Sequence, residues 1–183
     1  MSDPGYGPPV DPLDAVCKAY KDCQRCARGA HGDTCIGEFI KYKYGYKNGD
    51  AICKDQPGTC GRSLCECDAM FARQHAPVTD HFKVQYHMFW STTYDYPMWD
   101  PKNDDSQCPR GGGGEYEPEC CGGRTTPFIL FNTVNKKCCP GGKVVLDNQN
   151  CPSGKPAVQG SKPKGSGGRG QGKDDGYQGG YGK

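Results

Sequence analysis

Two cysteine-rich stretches decide the fold of this chain, VCKAYKDCQRC at residues 16–26 and CGRSLCECD at residues 60–68. In both stretches, residues three or four positions apart recur on one helical face. They are Cys17, Tyr20, Lys21 and Gln24 in the first stretch, and Leu64, Cys67, Asp68 and Phe71 at the second. The sequence therefore predicts two helices that disulfide bridges hold together.

The N-termini of both predicted helices carry residues that typically begin a helix. The first helix is predicted over Leu13–Cys26, with Asp11 as its N-cap. The second is predicted over Ser63–Gln74, where Ser63 followed three residues later by Glu66 has the pattern of a capping box.

The segment between the two helices, residues 40–53, predicts a β-hairpin. Tyr42, Tyr44 and Tyr46 alternate along it, as side chains on one face of a strand do. Asn48 and Gly49 supply the two residues of positive φ that a tight hairpin turn needs.

The composition indicates an extracellular, disulfide-stapled protein. Among 183 residues are 14 Cys, 28 Gly and 15 Pro, and aliphatic residues are sparse. A core this thin needs covalent bridges, which persist in oxidising compartments. No apolar run approaches membrane-spanning length. The net charge of +2 gives no support for nucleic-acid binding.

Cysteine spacing and composition divide the chain into three regions: residues 1–108, 109–151 and 152–183. The first holds the helix pair and hairpin, and the second holds two vicinal cysteine pairs at residues 120–121 and 138–139. The third has no cysteine and 11 Gly, and it is predicted to be disordered. The expected fold class is small disulfide-rich α+β: two disulfide-linked antiparallel helices with a β-hairpin, then a cysteine-rich β-hairpin module and the tail.

Residues 5–75 resemble the secreted phospholipases A2. The segment PVDPLD at residues 9–14 resembles the one that leads from the calcium loop of that family into its catalytic helix. The family then reads Cys-Cys-x-x-His-Asp-x-Cys, where this chain reads VCKAYKDC at residues 16–23. The family's Cys-x-Cys-Asp recurs at residues 65–68. The resemblance implies that the family's N-terminal helix and most of its calcium loop are missing here.

The resemblance also implies three bridges: Cys23–Cys67, Cys53–Cys65 and Cys35–Cys60. The family places partners for Cys17 and Cys108 in the missing N-terminal segment, so both are left over, and Cys26 is a further extra. Nine residues of helix separate Cys17 from Cys26 by about 13 Å, which is too far for a bridge. One of these two is therefore expected to reach Cys108 or the second region.

At the site, Tyr20 and Lys21 stand where the family has its general-base histidine and calcium-binding aspartate. The resemblance thus implies a chain that is not an enzyme and needs no cofactor. Asp68, Tyr42 and Tyr20 are expected to form a residual hydrogen-bond network. Lys21 could replace the cation and hold a ligand carboxylate, but a salt bridge to Asp68 or exposure to water is favoured.

For the other candidate sites, a surface or structural role is favoured over metal or membrane binding. His75, His81 and His87 share no helical face and are expected to be surface histidines and not metal ligands. The vicinal cysteines are expected in disulfides and not on zinc. Seven aromatic residues between positions 82 and 99 could form a membrane-interface belt, but a cover over the thin core is favoured. They are Phe82, Tyr86, Phe89, Trp90, Tyr94, Tyr96 and Trp99.

The second region resembles the galaxin repeat of coral skeletons in Cys120-Cys121-Gly122, Phe128, the stretch CCPG at residues 138–141 and Cys151. The Gly/Tyr/Lys tail resembles tracts of structural matrix and adhesive proteins. Six acidic residues could attract calcium or mineral or simply be solvated: Asp100, Asp104, Asp105, Glu115, Glu117 and Glu119. The leading hypothesis is a secreted, non-catalytic matrix component of a mineralised or adhesive material, whose partners are matrix proteins or a mineral surface, with weak membrane contact. The alternative is a secreted, toxin-like phospholipase homologue that binds lipid or a receptor.

Overall fold

The computed structural model describes residues 9–84, 115–152, 158 and 160–162. In chain order the described elements are α1 (Pro12–His31), β1 (Tyr44–Lys47), β2 (Asp50–Cys53), α2 (Cys60–His75), a 3-10 helix (Ala76–His81), β3 (Pro118–Cys121), β4 (Ile129–Asn132), β5 (Lys136–Cys139) and β6 (Lys143–Leu146). The strands pair as three antiparallel hairpins, β1–β2, β3–β4 and β5–β6. The predicted class, two helices with antiparallel hairpins in a disulfide-rich fold, is confirmed.

Helix α1 begins at Pro12, one residue before the predicted start, and continues to His31, five residues beyond the predicted end. The Asp11 side chain caps it by accepting from the backbone N–H of Asp14 at 2.8 Å. The helix does not stop at Cys26, because the backbone keeps its helical conformation until Gly32, which has φ of 98°. A residue without a Cβ takes up that conformation at no steric cost, so the helix ends there.

Helix α2 begins three residues before the predicted start. Its N-cap is Thr59, whose Oγ1 accepts from the backbone N–H of Arg62 at 3.3 Å. Ser63 is fully buried inside the helix and is not a cap. Glu66 pairs with the Arg62 guanidinium at 2.7 Å and does not complete a capping box.

The β1–β2 hairpin has the predicted tight turn. Asn48 and Gly49 both have positive φ, 54° and 86°, which matches the twist of the two flanking strands. The register pairs Tyr44 with Cys53 and Lys47 with Asp50.

Disulfides fasten the first region. Cys23–Cys67 joins α1 to α2, Cys53–Cys65 joins the hairpin to α2, and Cys35–Cys60 closes the loop between them. These are the same pairs that the resemblance implied. Since such bridges remove conformations from the unfolded chain, they stabilise a fold whose apolar core is small.

The second region packs on the helix pair. Cys26–Cys120 joins α1 to β3, so Cys26 does reach the second region. Within that region the bridges are Cys121–Cys138 and Cys139–Cys151. One cluster of buried residues includes Leu64 and Met70 from α2 together with Phe128. The hydrophobic core is therefore continuous between the two regions.

The chain beyond Cys151 returns to the hairpins. Val158 donates its backbone N–H to the Cys138 carbonyl at 2.8 Å, and Ser161 donates to the Cys120 carbonyl at 2.9 Å. The rest of the predicted disordered tail lies outside the described residues, as do Cys108 and the aromatic residues from Tyr86 to Trp99. Among the described helices, none has the length and apolar character needed to cross a bilayer.

Candidate functional site

The structure brings Tyr20, Asp68 and Tyr42 together. The Tyr20 hydroxyl of α1 donates to Asp68 Oδ1 at 2.6 Å, and the Tyr42 hydroxyl donates to the other carboxylate oxygen, Oδ2. Gln24, one turn along α1, donates its side-chain N–H to the Tyr20 hydroxyl at 2.7 Å. Both oxygens of the half-buried Asp68 carboxylate therefore accept a hydrogen bond from a phenol. The Tyr20 phenol also accepts one, from Gln24.

The two phenols in this cluster are held in their protonated form. Burial raises the pKa of Tyr20 well above its ordinary value, and the hydrogen bond to Asp68 and its negative charge add to the shift. The same causes, in the same order, raise the pKa of Tyr42. At neutral pH each hydroxyl is consequently a proton donor to Asp68, and neither supplies a base.

Aromatic rings extend the cluster in two directions. On the α2 side the Phe71 ring lies 4.7 Å from the Tyr20 ring and 5.0 Å from the His75 ring, between their centroids. On the hairpin side Tyr42 meets Tyr44 edge to face at 6.2 Å, and Tyr44 meets Tyr46 at 5.9 Å. The tyrosines form a row from the Asp68 carboxylate to the turn of the hairpin.

The described residues around Asp68 do not fit a calcium ion. Both of its carboxylate oxygens bind phenols, and half-buried Lys21 follows Tyr20 on the same helix. Across the described ranges, no group of three His, Cys, Asp or Glu side chains could hold a metal. Since Ca²⁺ takes six to eight oxygen ligands, the described residues around Asp68 do not supply a calcium site.

The remaining candidate residues are dispersed. His75 packs against Phe71, His81 is exposed at the end of the 3-10 helix, and His87 lies outside the described residues. Of the acidic candidates, Asp100, Asp104 and Asp105 also lie outside them. Glu115, Glu117 and Glu119 lie on or just before β3, where Glu117 accepts from the Thr133 hydroxyl.

Cys17 is the cysteine among the described residues that has no bridge. Its side chain is half-buried on α1. Partial burial raises the pKa of the Cys17 thiol, and the neighbouring carboxylate of Asp14 raises it further. The thiol is thus protonated at neutral pH, and the protonated form is the weaker nucleophile.

Sequence reasoning missed two polar contacts. Gln24 was placed on the Tyr20 face but was not given a role, although the helical spacing of four residues already made it a neighbour. The sequence predicts Ser63 as a helix cap, but its buried Oγ lies 2.7 Å from the Gly123 carbonyl and 2.9 Å from His31 Nε2. No local pattern signals a contact between residues this far apart in the chain.

The bridged helix pair, the hairpin and the carboxylate between them define a small, disulfide-stapled α+β protein. Over 79 residues the chain is 38% identical to an acidic phospholipase A2 of Micrurus dumerilii, covering 42% of this chain and 66% of that protein. It is 28% identical over 85 residues to the membrane-associated phospholipase A2 of Mus musculus, covering 46% and 56%. It is 38% identical over 64 residues to the basic phospholipase A2 beta-bungarotoxin A-AL4 chain of Bungarus multicinctus, covering 35% and 45%.

The first part of the chain is therefore a homologue of the phospholipases A2, as the resemblance indicated. The chain spans between 45% and 66% of the length of these relatives. No protein-family model matches it. The galaxin-like character of the second region stays a prediction.

The comparisons correct one prediction. The chain was expected not to be an enzyme, because Tyr20 and Lys21 replace two catalytic residues of the family. The three relatives named above carry the name of an enzyme, phospholipase A2, and this contradicts the prediction. The expectation relied on assigning roles to two positions by resemblance, and two residue types alone do not exclude an activity.

Proposed function

We propose that this chain is an extracellular protein that binds phospholipid surfaces through residues 39–54, which comprise the β1–β2 hairpin and the segments at its base. The observation that carries the proposal is the exposure of large side chains along this hairpin. Phe39 and Tyr46 are each 73% exposed, Tyr44 is 55% exposed and Ile52 is 39% exposed. The relatives' name, phospholipase A2, describes enzymes that act on phospholipids, and six disulfide bridges agree with an extracellular setting.

The chemistry of the exposed rings suits the boundary between lipid and water. A tyrosine ring has an apolar body and a polar hydroxyl, and such rings are enriched at membrane interfaces. The edge-to-face contacts of Tyr42, Tyr44 and Tyr46 fix the row in place. Less side-chain entropy is then lost on binding than for three independent rings.

The charges of residues 39–54, the hairpin with the segments at its base, favour an anionic surface. Residues 39–54 contain four lysines, Lys41, Lys43, Lys47 and Lys54, and one aspartate. Of the acidic residues that flank the hairpin, Asp55 accepts from the Lys43 backbone N–H at 2.7 Å and so caps its base. The end of the Lys54 side chain, its Cε and ammonium Nζ, lies over Gly45, where no Cβ blocks it.

Vesicle sedimentation tests the proposal. We expect the protein to sediment with phosphatidylcholine vesicles that contain phosphatidylserine, more strongly than with phosphatidylcholine alone and less strongly as salt is raised. The double variant Tyr44→Ser with Tyr46→Ser should bind at least tenfold more weakly. Phospholipid turnover is measured on the same vesicles, because the relatives are enzymes.

Tyr116→Ser is the matched control, because Tyr116 is an exposed tyrosine of the second region, 63% exposed. It should bind like the wild type. Equal sedimentation of the control and the hairpin variant, or no sedimentation of the wild type, would exclude the hairpin as the lipid-binding surface.

The predicted matrix role has no specific structural observation in its favour. Three of the six acidic residues on which it depends, and the Tyr-containing end of the tail, lie outside the described residues. It stays a prediction, which extraction of the native protein from an insoluble extracellular material would test.

A further inference from the structure

A crevice opens where the second region packs on the helix pair, between α1, α2 and β4. Its volume is about 330 Å³. Its lining residues are Ala15, Lys18, Ala19, Asp22, Met70, Gln74, Phe128, Ile129 and Leu130. It exists because β4 covers one side of the groove between the two helices, so it depends on the second region.

The floor and walls of the crevice are apolar. Met70 and Phe128 are only 8% and 5% exposed, and Ala19 and Leu130 pack beside them. Ile129, which is 41% exposed, forms part of the lip. An apolar interior that remains open to solvent can gain free energy by taking up an apolar group.

The crevice is separate from the cluster around Asp68. Its α1 residues, Ala15, Lys18, Ala19 and Asp22, recur at intervals of three and four along one helical face. At about 100° per residue, Tyr20 lies on the other side of the same helix. A ligand could therefore occupy the crevice without touching the phenols.

An ion pair between Lys18 and Asp22 lies at the mouth of the crevice, and Arg25, which does not line the crevice, also contacts Asp22. Lys18 Nζ lies 3.4 Å from Asp22 Oδ2, and Arg25 Nη1 lies 3.8 Å from Asp22 Oδ1. Two cations thus share one carboxylate, and the Lys18 side chain is 52% exposed. Because Asp22 is shared with Arg25, the exposed Lys18 ammonium can also pair with an anionic group at the mouth.

We propose that this crevice binds a single fatty acyl chain whose anionic head group lies beside Lys18. An apolar interior with an exposed lysine at its mouth complements the two parts of such an amphiphile, its acyl chain and its negative charge. Ligand sites have volumes of roughly 300–1,000 Å³, so a crevice near the lower limit suits one chain and not the two chains of an intact phospholipid. The proposal goes beyond the surface binding described above, because a monomeric amphiphile needs no bilayer and no part of the hairpin.

The first experiment is calorimetric titration of the whole protein with octanoate, decanoate and laurate, each below its micelle concentration. Burial of each additional methylene should tighten binding about fourfold until the chain fills the crevice, after which the affinity should level off. Dissociation constants that do not change with chain length would overturn the proposal.

Variants locate the binding site. Ile129→Asp puts a negative charge on the lip and should weaken laurate binding at least tenfold, whereas Leu146→Asp should not weaken it. Leu146 is the matched control, because it is 45% exposed and lies on β6 away from the crevice. Ala15→Trp, at an exposed position of α1, should also block the crevice. Because this variant leaves β4 unchanged, it separates loss of the binding site from a disturbance of β4 by Ile129→Asp. If neither crevice variant weakens binding while both stay folded, the crevice is not the site.

The head group is tested separately. Lys18→Gln should weaken laurate binding several-fold but leave binding of lauroyl-lysophosphatidylcholine, which carries no net charge, nearly unchanged. An equal loss for both ligands would remove Lys18 from the proposal. Laurate binding by the Tyr44→Ser, Tyr46→Ser variant should match the wild type, so a failure of the hairpin proposal and a failure of the crevice proposal can be told apart.

Discussion

The Ser63 hydroxyl of α2 donates to the carbonyl of Gly123 at 2.7 Å, across 60 residues of sequence. Because a hydroxyl has one hydrogen, the contact of 2.9 Å with His31 Nε2 requires the histidine to donate to Ser63 Oγ. One fully buried side chain thus joins the end of α1, the first turns of α2 and the second region.

Ser63→Ala should destabilise the protein by roughly 1–3 kcal/mol, because it leaves a buried carbonyl and a histidine N–H without their partner. Urea unfolding measures the difference. Thr59→Ala is a useful comparison at the exposed N-cap, where we expect a loss of about 1 kcal/mol. A loss for Ser63→Ala no larger than measurement error would show that water replaces the hydroxyl.

The stability of the protein should depend on pH through His31. Burial lowers the pKa of His31, so the unfolded chain binds a proton more readily than the folded one. This contribution is complete above the unfolded pKa of about 6.5 and is lost as the pH falls below it. Urea midpoints at pH 8 and pH 5 should therefore differ less for His31→Gln than for the wild type. An identical pH dependence in the two proteins would contradict the assignment to His31.

Tyr20→Phe and Tyr42→Phe should each cost roughly 1–2 kcal/mol, because each removes a donor from the half-buried Asp68 carboxylate. The two effects should not add in the double variant, since both hydroxyls bind the same group. A double-mutant cycle by urea unfolding gives the coupling energy. Additive losses would mean that the two hydrogen bonds are independent.

Replacing both Cys26 and Cys120 by serine should cost roughly 2–4 kcal/mol, because this bridge closes a long loop, with a sequence separation of 94 residues. The bridge Cys139–Cys151 has a separation of 12 residues, and replacing it should cost less. Thermal or urea unfolding compares the two variants. The reverse order would mean that strain or structure in the unfolded chain outweighs loop closure.

The sequence predicted the structure best where a feature depends on neighbouring residues or on the cysteine pattern shared with the phospholipases A2. The hairpin turn at Asn48 and Gly49 follows from the need for positive φ at both positions, and the N-cap at Asp11 follows from its place before a proline. These features depend on residues close together in the chain. The pairing of Cys26 could only be narrowed down, because its partner is chosen by how β3 packs on α1.

Tertiary contacts explain the predictions that failed. Ser63 and Glu66 have the spacing of a capping box, but Thr59 follows a turn with Gly58 at φ of 84° and so starts the helix earlier. Once Ser63 is inside the helix, the loop at Gly123 accepts its hydrogen bond. The sequence also gives no sign of the crevice beside Lys18, because its lining residues come from three elements and none of them is unusual on its own.

The bridge between Cys26 and Cys120 also determines what proteolysis can release. Among the cysteines in the described ranges, the other bridges lie wholly before residue 68 or wholly after residue 120. A protease that cuts the backbone once between residues 68 and 119 would therefore produce two polypeptides that stay joined through this one covalent link. They would separate only under reducing conditions, so the protein could be processed outside the cell into a two-chain form without losing either half.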